Sequence, residues 1–427
     1  MSIARFILVA LICTSPVILL CDGLVVQGVV AGIVAVALAI TARTLRAGET
    51  EFLVSTIRPV AAVAAVPALW VLIQALPLGA IAHPIWTSLG TALGRPVTGS
   101  ISIDPGASVI ALGQYLSLAA IGFVSAAVAV DRHRAEWILF ALAGATAANA
   151  LILLLHGLFY SGGDFVPFLH AQAIDCASIG IIVAGAACVR TLERYETRHA
   201  DPSRSWPVLL RSFAASSAAL AICAAALALA GTREVVFATG CGIAVFAYMM
   251  LIRRFGLEAW GATALAALVI GVGILLLGTR PAERGKSFLL DFAAAPTAMS
   301  EHVLGDAPLV GTGAGTFAAL APIYRQIDDP PFRSVASTAA ATLAIELGKP
   351  MLWLVAAATV VAIIALLRAS LQRGRDSFYP AMGGSCLITL LLLAFVNAGL
   401  LDAPASLIAA ATLGLAFAQS KGRTVRS

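Results

Sequence analysis

Charged residues are scarce in this sequence. Of its 427 residues, 11% are Asp, Glu, Lys or Arg, whereas 60% are apolar. A soluble globular domain carries about 25% charged residues, so the composition excludes an ordinary soluble fold. Most of the chain consists instead of apolar runs of about 20 residues, the length that crosses a bilayer as a helix. The sequence therefore predicts a membrane protein.

The cysteines lack the spacing of a disulfide framework or a metal site. All seven lie within or at the ends of apolar runs, at positions 13, 21, 176, 188, 223, 241 and 386. We interpret them as small core residues. We therefore expect no bound metal and no cofactor.

Three further patterns are missing. The basic residues lie in short loops rather than on one soluble face, so we expect no nucleic-acid partner. The glycine-rich stretch around Gly313 has no Gly-Lys-Ser/Thr ending and no strand–helix unit around it, which excludes a P-loop and a dinucleotide fingerprint. No internal repeat is evident, although transporters built from inverted repeats should show two matching halves.

The apolar runs predict an all-α, polytopic helical bundle that forms one integral membrane domain over residues 1–427. The first run lacks a small-x-small cleavage site, so we expect it to be retained as a helix. About twelve transmembrane helices are expected, at 4–21, 24–42, 59–78, 107–130, 136–160, 171–189, 208–230, 235–252, 258–278, 350–367, 378–398 and 403–419.

The distribution of basic residues predicts the orientation. With the N-terminus in the cytoplasm, all but eight of the 27 Lys and Arg residues fall in cytoplasmic segments, as the positive-inside rule requires. The eight outside are Arg95, Arg233, Arg280, Arg284, Lys286, Arg325, Arg333 and Lys349. We therefore expect a multi-pass protein of a bacterial inner membrane with both termini cytoplasmic.

Two of the predicted outside segments are longer than turns. Residues 79–106 form the first extracytoplasmic loop, whose prolines and Trp86 suggest an irregular hairpin at the membrane interface. Residues 279–349 form a large periplasmic loop between helices nine and ten, expected to fold as short helices over the membrane surface.

Within the large loop, Gly311, Gly313 and Gly315 alternate with other residues. Glycine lets the backbone turn tightly and approach a ligand, and exposed N–H groups in such a turn can form an anion-binding nest. A purely conformational turn between two loop helices is the equal alternative.

Asp175 is an ionisable residue inside an apolar run, which suggests a functional role. The alternative is that Asp175 and His170 form a polar pair at the entry of the helix.

Six stretches resemble one family of membrane proteins in their order and topological side. They are Leu72-Ile-Gln-Ala-Leu-Pro-Leu78 with Ile101-Ser-Ile-Asp-Pro105, Gly231-Thr-Arg-Glu234, Pro308-Leu-Val-Gly-Thr-Gly-Ala-Gly-Thr-Phe317, Ile345-Glu-Leu-Gly348 and Asn397-Ala-Gly-Leu-Leu-Asp402. The pattern is similar to that of O-antigen ligases and polymerases, which assemble surface polysaccharides such as lipopolysaccharide and exopolysaccharide.

The resemblance implies a metal-independent glycosyltransferase. Such a protein takes a polyprenyl diphosphate-linked glycan as donor, transfers it to a glycan or lipid acceptor, and has membrane lipids as its other partners. Arginines are expected to hold the diphosphate, because a guanidinium pairs with phosphate in a bidentate manner. The expected diphosphate- or glycan-binding residues are Arg233, Arg280, Arg284, Gly311, Gly313, Gly315 and Arg325.

The base that would activate the acceptor hydroxyl is not evident. Ser337 stands where the resemblance implies a histidine. His302 is the one histidine in the large loop and is a weak candidate for the base. Two alternatives therefore remain beside the transferase. One is a degenerate member that binds lipid-linked glycan without transfer, and the other is a flippase or transporter.

Overall fold

The computed structural model describes residues 2–21, 23–45, 47–159, 167–198, 206–255, 297–324, 338–373 and 376–421. In these ranges the chain is helical and contains no strand. The helices are α1 (Ser2–Cys13), α2 (Ser15–Leu20), α3 (Leu24–Thr44), α4 (Ala47–Ala75), α5 (Ile85–Leu93), α6 (Pro105–Ala129), α7 (Arg132–Phe159), α8 (Pro167–Arg198), α9 (Trp206–Ala230), α10 (Arg233–Phe255), α11 (Thr297–Asp306), α12 (Phe317–Tyr324), α13 (Ala339–Glu346), α14 (Lys349–Gln372), α15 (Phe378–Ala394) and α16 (Ala403–Ala418), with 3₁₀ turns at Gly79–Ile81 and Gly399–Leu401.

Among the described residues, nine helical stretches are long and apolar enough to cross a membrane. They are α1 together with α2, then α3, α4, α6 to α10, and α14, while α15 and α16 are shorter apolar helices. Eleven of the predicted helices thus coincide with a helix or helix pair. The predicted span 258–278 lies outside the described residues, so the count of about twelve stays a prediction.

Two local departures from the predicted boundaries have clear causes. The first apolar run is broken at Thr14, because Pro16 lies in the first turn of α2 and cannot donate to the ladder of α1. Helix α4, which corresponds to the third predicted span, begins at Ala47, well before the predicted residue 59, and continues through Pro59 and Pro67. A helix can extend past its apolar run if its polar first turns are exposed to water. Hydropathy marks only the apolar run and therefore misses those turns.

Helix α8 is the axis of the bundle. Within its apolar window 83% of residues are buried inside the protein, against 11% for α4 and for α14. Helices α7, α9, α10, α15 and α16 pack around it. In a bilayer the exposed sides of α4 and α14 face lipid, since lipid is as apolar as their side chains.

The two ends of the bundle differ in chemistry. At one end, called the loop end, α4 and α9 finish and α6, α8, α10 and α14 begin. The short helices α11, α12 and α13 pack at this end around Val303, Phe317 and Ile345. The described part of 279–349 thus contains short helices, and its assignment to a large periplasmic loop stays a prediction. At the other end, called the arginine end, α7 and α15 begin and α8 and α16 finish.

Candidate functional site

Three segments that are distant in sequence meet at the loop end. The glycine turn, residues 310–317, pairs with the junction between α13 and α14 through two backbone bonds. Thr312 N donates to Ile345 O at 3.0 Å, and Gly313 N donates to Glu346 O at 3.0 Å. We call this assembly, together with the first-loop residues that contact it, the glycine hub.

The first loop completes the glycine hub. Ile103 N donates to Thr312 O at 3.0 Å, and Ser108 Oγ donates to Ala314 O at 3.0 Å. Helix α6 starts beside these contacts because Asp104 caps it, its carboxylate accepting from an amide of the first turn. The glycine turn is therefore clamped between the first loop and the start of α14.

Two side chains from the end of α4 bind the hub. Gln74, which is fully buried, donates through Nε2 to Val310 O at 2.9 Å and to Glu346 O at 3.0 Å. Trp70 Nε1 donates to Leu347 O at 2.8 Å. Neither residue was among the site residues predicted from the sequence. The sequence feature that could have indicated them is a polar Gln near the end of an apolar run, one helical turn after a Trp.

The glycines are required by geometry. Gly311 and Gly313 have φ of 81° and 108°, values that residues with a Cβ rarely adopt. A Cβ on Gly311 would lie 2.2 Å from Glu346 O, and one on Gly313 would lie 2.2 Å from Ser102 Oγ. Both glycines are therefore needed for the close approach of backbone segments.

The anion nest predicted for this turn is occupied by the protein itself. Glu346 Oε2 accepts from Gly315 N at 2.8 Å, and Oε1 accepts from Phe317 N at 3.1 Å. Gly311 N donates to Pro308 O at 2.9 Å. The structure thus favours the conformational alternative for the turn. Contact of these amides with a diphosphate stays a prediction, and it would require the Glu346 carboxylate to leave.

Glu346 is half-buried where it fills the nest. Burial raises the pKa of Glu346 to about 7, and the hydrogen bonds from the Gly315 and Phe317 amides oppose that rise. The carboxyl group therefore changes its charge near neutral pH.

The remaining predicted site residues are not joined to the hub in the described part of the chain. Arg233 is the first residue of α10, and its side chain is exposed at the loop end. His302 is exposed on α11. Within the described residues, neither forms a hydrogen bond or an ion pair with the glycine hub. Arg280, Arg284, Arg325 and Ser337 lie outside the described residues.

A second polar group lies in the bundle below the loop end. Asp175 of α8 is fully buried, and its Oδ1 accepts from Asn397 Nδ2 at 2.8 Å. The backbone oxygen of Asn397 accepts from Ala339 N, the first residue of α13, at 2.8 Å. The His170 ring lies near Asp175 in sequence, but it bonds to Ala230 O at 3.0 Å. Asp175 and Asn397 thus link the core to a loop helix.

The arginine end holds a buried ionic cluster. Arg190, only 6% exposed, pairs with Glu136 and lies 3.5 Å from Asp376. Arg194 also pairs with Glu136, and Arg132 pairs with Asp376 at 2.8 Å. These arginines, predicted to be cytoplasmic from their loops, therefore tie α7, α8 and the start of α15 together.

In the described part of the chain, no group of three or more His, Cys, Asp or Glu residues is placed to hold a metal ion. Comparison of the sequence with protein-family models and with curated proteins gives no match.

Proposed function

We propose that this chain is a membrane glycan transferase of the O-antigen ligase and polymerase type, which uses a polyprenyl diphosphate-linked glycan. The observation that carries the proposal is the glycine hub. The segments 72–78 with 101–105, 308–317 and 345–348 each resemble that family, and they lie more than 200 residues apart at the extremes. They nevertheless meet through direct hydrogen bonds at one end of the bundle.

Arg233 lies at the same end of the bundle. Helix α9 ends and α10 begins there, and the contact of His170 with Ala230 O places the start of α8 beside that turn. An exposed guanidinium at the mouth of a membrane bundle can neutralise a diphosphate in a medium of low dielectric constant. Arg233 is therefore assigned to the donor, with Arg280 or Arg284 assisting.

In the transfer step the acceptor hydroxyl oxygen bonds to the anomeric carbon of the donor glycan as the bond from that carbon to the diphosphate oxygen breaks. The hydroxyl proton passes to a base, and the polyprenyl diphosphate leaves with the bonding electrons. Arg233 stabilises the negative charge that develops on the leaving diphosphate. His302 of α11 is the candidate base.

A genetic complementation experiment tests the proposal. The gene is deleted in its host, surface glycan is separated on a gel, and the deletion is complemented with wild type, Arg233→Ala or Arg95→Ala. Arg95 is the matched control because it is also an exposed arginine predicted to lie outside. Loss of a cationic group at a transition-state charge typically costs about a hundredfold in rate, so Arg233→Ala should restore almost no polymer while Arg95→Ala restores it fully.

Equal restoration by Arg233→Ala would refute the donor site. The location of accumulated donor in the deletion strain separates the remaining functions. Donor that accumulates on the outer membrane face indicates a missing transferase, whereas donor on the inner face indicates a missing flippase. The presence of Ser337 at the position of the implied histidine favours a glycan-binding protein without transfer as the second candidate. That candidate predicts normal polymer in the deletion strain.

A further inference from the structure

Helix α13 connects the buried Asp175 pair to the glycine hub. Its first residue, Ala339, donates to Asn397 O, and its last residue, Glu346, accepts from the glycine turn. Eight helical residues span about 12 Å. A displacement at one end of so short and rigid a helix is transmitted to the other end.

The position of Asn397 depends on three contacts. Its Nδ2 donates to Asp175 Oδ1 at 2.8 Å, its Oδ1 accepts from Gly399 N at 3.1 Å, and its backbone oxygen holds Ala339. A Cβ on Gly399 would lie 2.7 Å from Asp175 Oδ2. The turn at 397–399 is therefore pressed directly against the Asp175 carboxyl group.

Burial of Asp175 has no explanation in the packing of α8 alone. A polar group without partners in the membrane costs free energy, and Asp175 Oδ2 finds no hydrogen-bond partner within the described residues. Gln172, one turn earlier on α8, is only 1% exposed and its side-chain amide is likewise unpaired there. Apolar side chains of the same size would pack α8 without this cost. Among the described residues, the hydrogen bond from Asn397 is the contact that offsets part of it for Asp175.

We propose that Asp175 is a positioning residue: through Asn397 it holds the start of α13, and thereby the Glu346 end of that helix, against the glycine turn. This inference rests on the proposed function where it concerns glycan transfer, because the hub is the proposed site. The positioning itself can be measured without any activity.

A buried reporter cysteine measures the docking of α13. Ala340 is 4% exposed, so Ala340→Cys should react slowly with a maleimide in detergent-purified protein. The native cysteines are kept, and protein without the reporter gives the background. Removing one partner of a buried hydrogen bond leaves the other unsatisfied and shifts an opening equilibrium about tenfold. Asp175→Ala should therefore raise the labelling rate of the reporter about tenfold.

Three variants separate positioning from general damage. Ser178→Ala is the matched control, since Ser178 is a buried polar residue of α8 whose hydroxyl group, within the described residues, bonds inside its own helix, to Ile174 O at 2.9 Å. A second reporter, Ala143→Cys in the middle of α7, reports global unfolding. The exchange Asp175→Asn with Asn397→Asp restores a donor and an acceptor across the pair, and it leaves an oxygen for Gly399 N.

The expected result is faster labelling at position 340 in Asp175→Ala, no change at position 143, and recovery in the exchanged pair. Surface glycan should fall and recover in parallel. Unchanged labelling at position 340 in Asp175→Ala would overturn the inference, as would equal increases at both positions. Labelling that follows the expectation while the wild type restores no glycan would leave the positioning intact and refute the proposed function instead.

Discussion

Replacing Glu346 with glutamine should stabilise the protein above neutral pH and leave its stability unchanged in mild acid. The pKa of Glu346 is raised from its ordinary value of 4.5 to about 7 by burial. An acid with a raised folded-state pKa contributes stability that is complete below pH 4.5 and lost as the pH rises to about 7. Above that pH, the folded protein carries the cost of a buried anion.

The magnitude follows from the difference between the two pKa values. At 1.36 kcal/mol per pH unit, ionisation of Glu346 lowers the free energy of unfolding by about 3 kcal/mol between pH 4 and pH 8. Glutamine has the same shape and stays neutral, and its oxygen can accept from one of the two amides, as a protonated carboxyl group does. Glu346→Gln should therefore be more stable than wild type by about 3 kcal/mol at pH 8, equivalent to about 3 °C in Tm for a chain of this length.

Thermal unfolding in detergent at pH 4.5, 6, 7 and 8 measures the effect. The difference in Tm between variant and wild type isolates Glu346, because other titrating groups contribute equally to both. Glu301→Gln on α11 is the matched control, since that carboxylate is exposed at the same end of the protein, and its Tm should follow wild type at every pH. A Glu346→Gln variant that is less stable than wild type at pH 8 would show that the amides of the nest outweigh the cost of burial, which refutes the reasoning.

Two further substitutions test the fold around the site. Gly313→Ala should lower the free energy of unfolding by at least about 2 kcal/mol, because φ is 108° and the added Cβ would lie 2.2 Å from a serine oxygen of the first loop. Gly305→Ala within α11, with open space around it, should not lower it in the same melt, because alanine favours a helix more than glycine does. Arg190→Gln should cost about 3 kcal/mol, because it breaks a buried pair with Glu136. The exposed Arg43→Gln is its control, and equal Tm values for the two arginine variants would contradict the role of the cluster.

The glycine turn shows how a correct motif can have an unexpected use. Alternating glycines indicate a tight turn with exposed amides, and this turn exists. The sequence also contains Glu346, but nothing local connects a carboxyl group just before α14 to amides some 30 residues earlier. Only the folded chain shows that the nest already contains a carboxyl group, that of Glu346.

The sequence by itself determined the helical class and most helix positions, because a backbone in lipid must satisfy its hydrogen bonds within each span and apolar runs mark those spans directly. It also singled out Asp175 and the glycine turn, since ionisable residues and glycines are conspicuous in such a chain. The tertiary structure decided which of these groups meet. Gln74 reaches Glu346, and Asp175 reaches Asn397, across more than 200 residues. Contacts at that separation depend on the packing of whole helices, which hydrophobic periodicity does not encode.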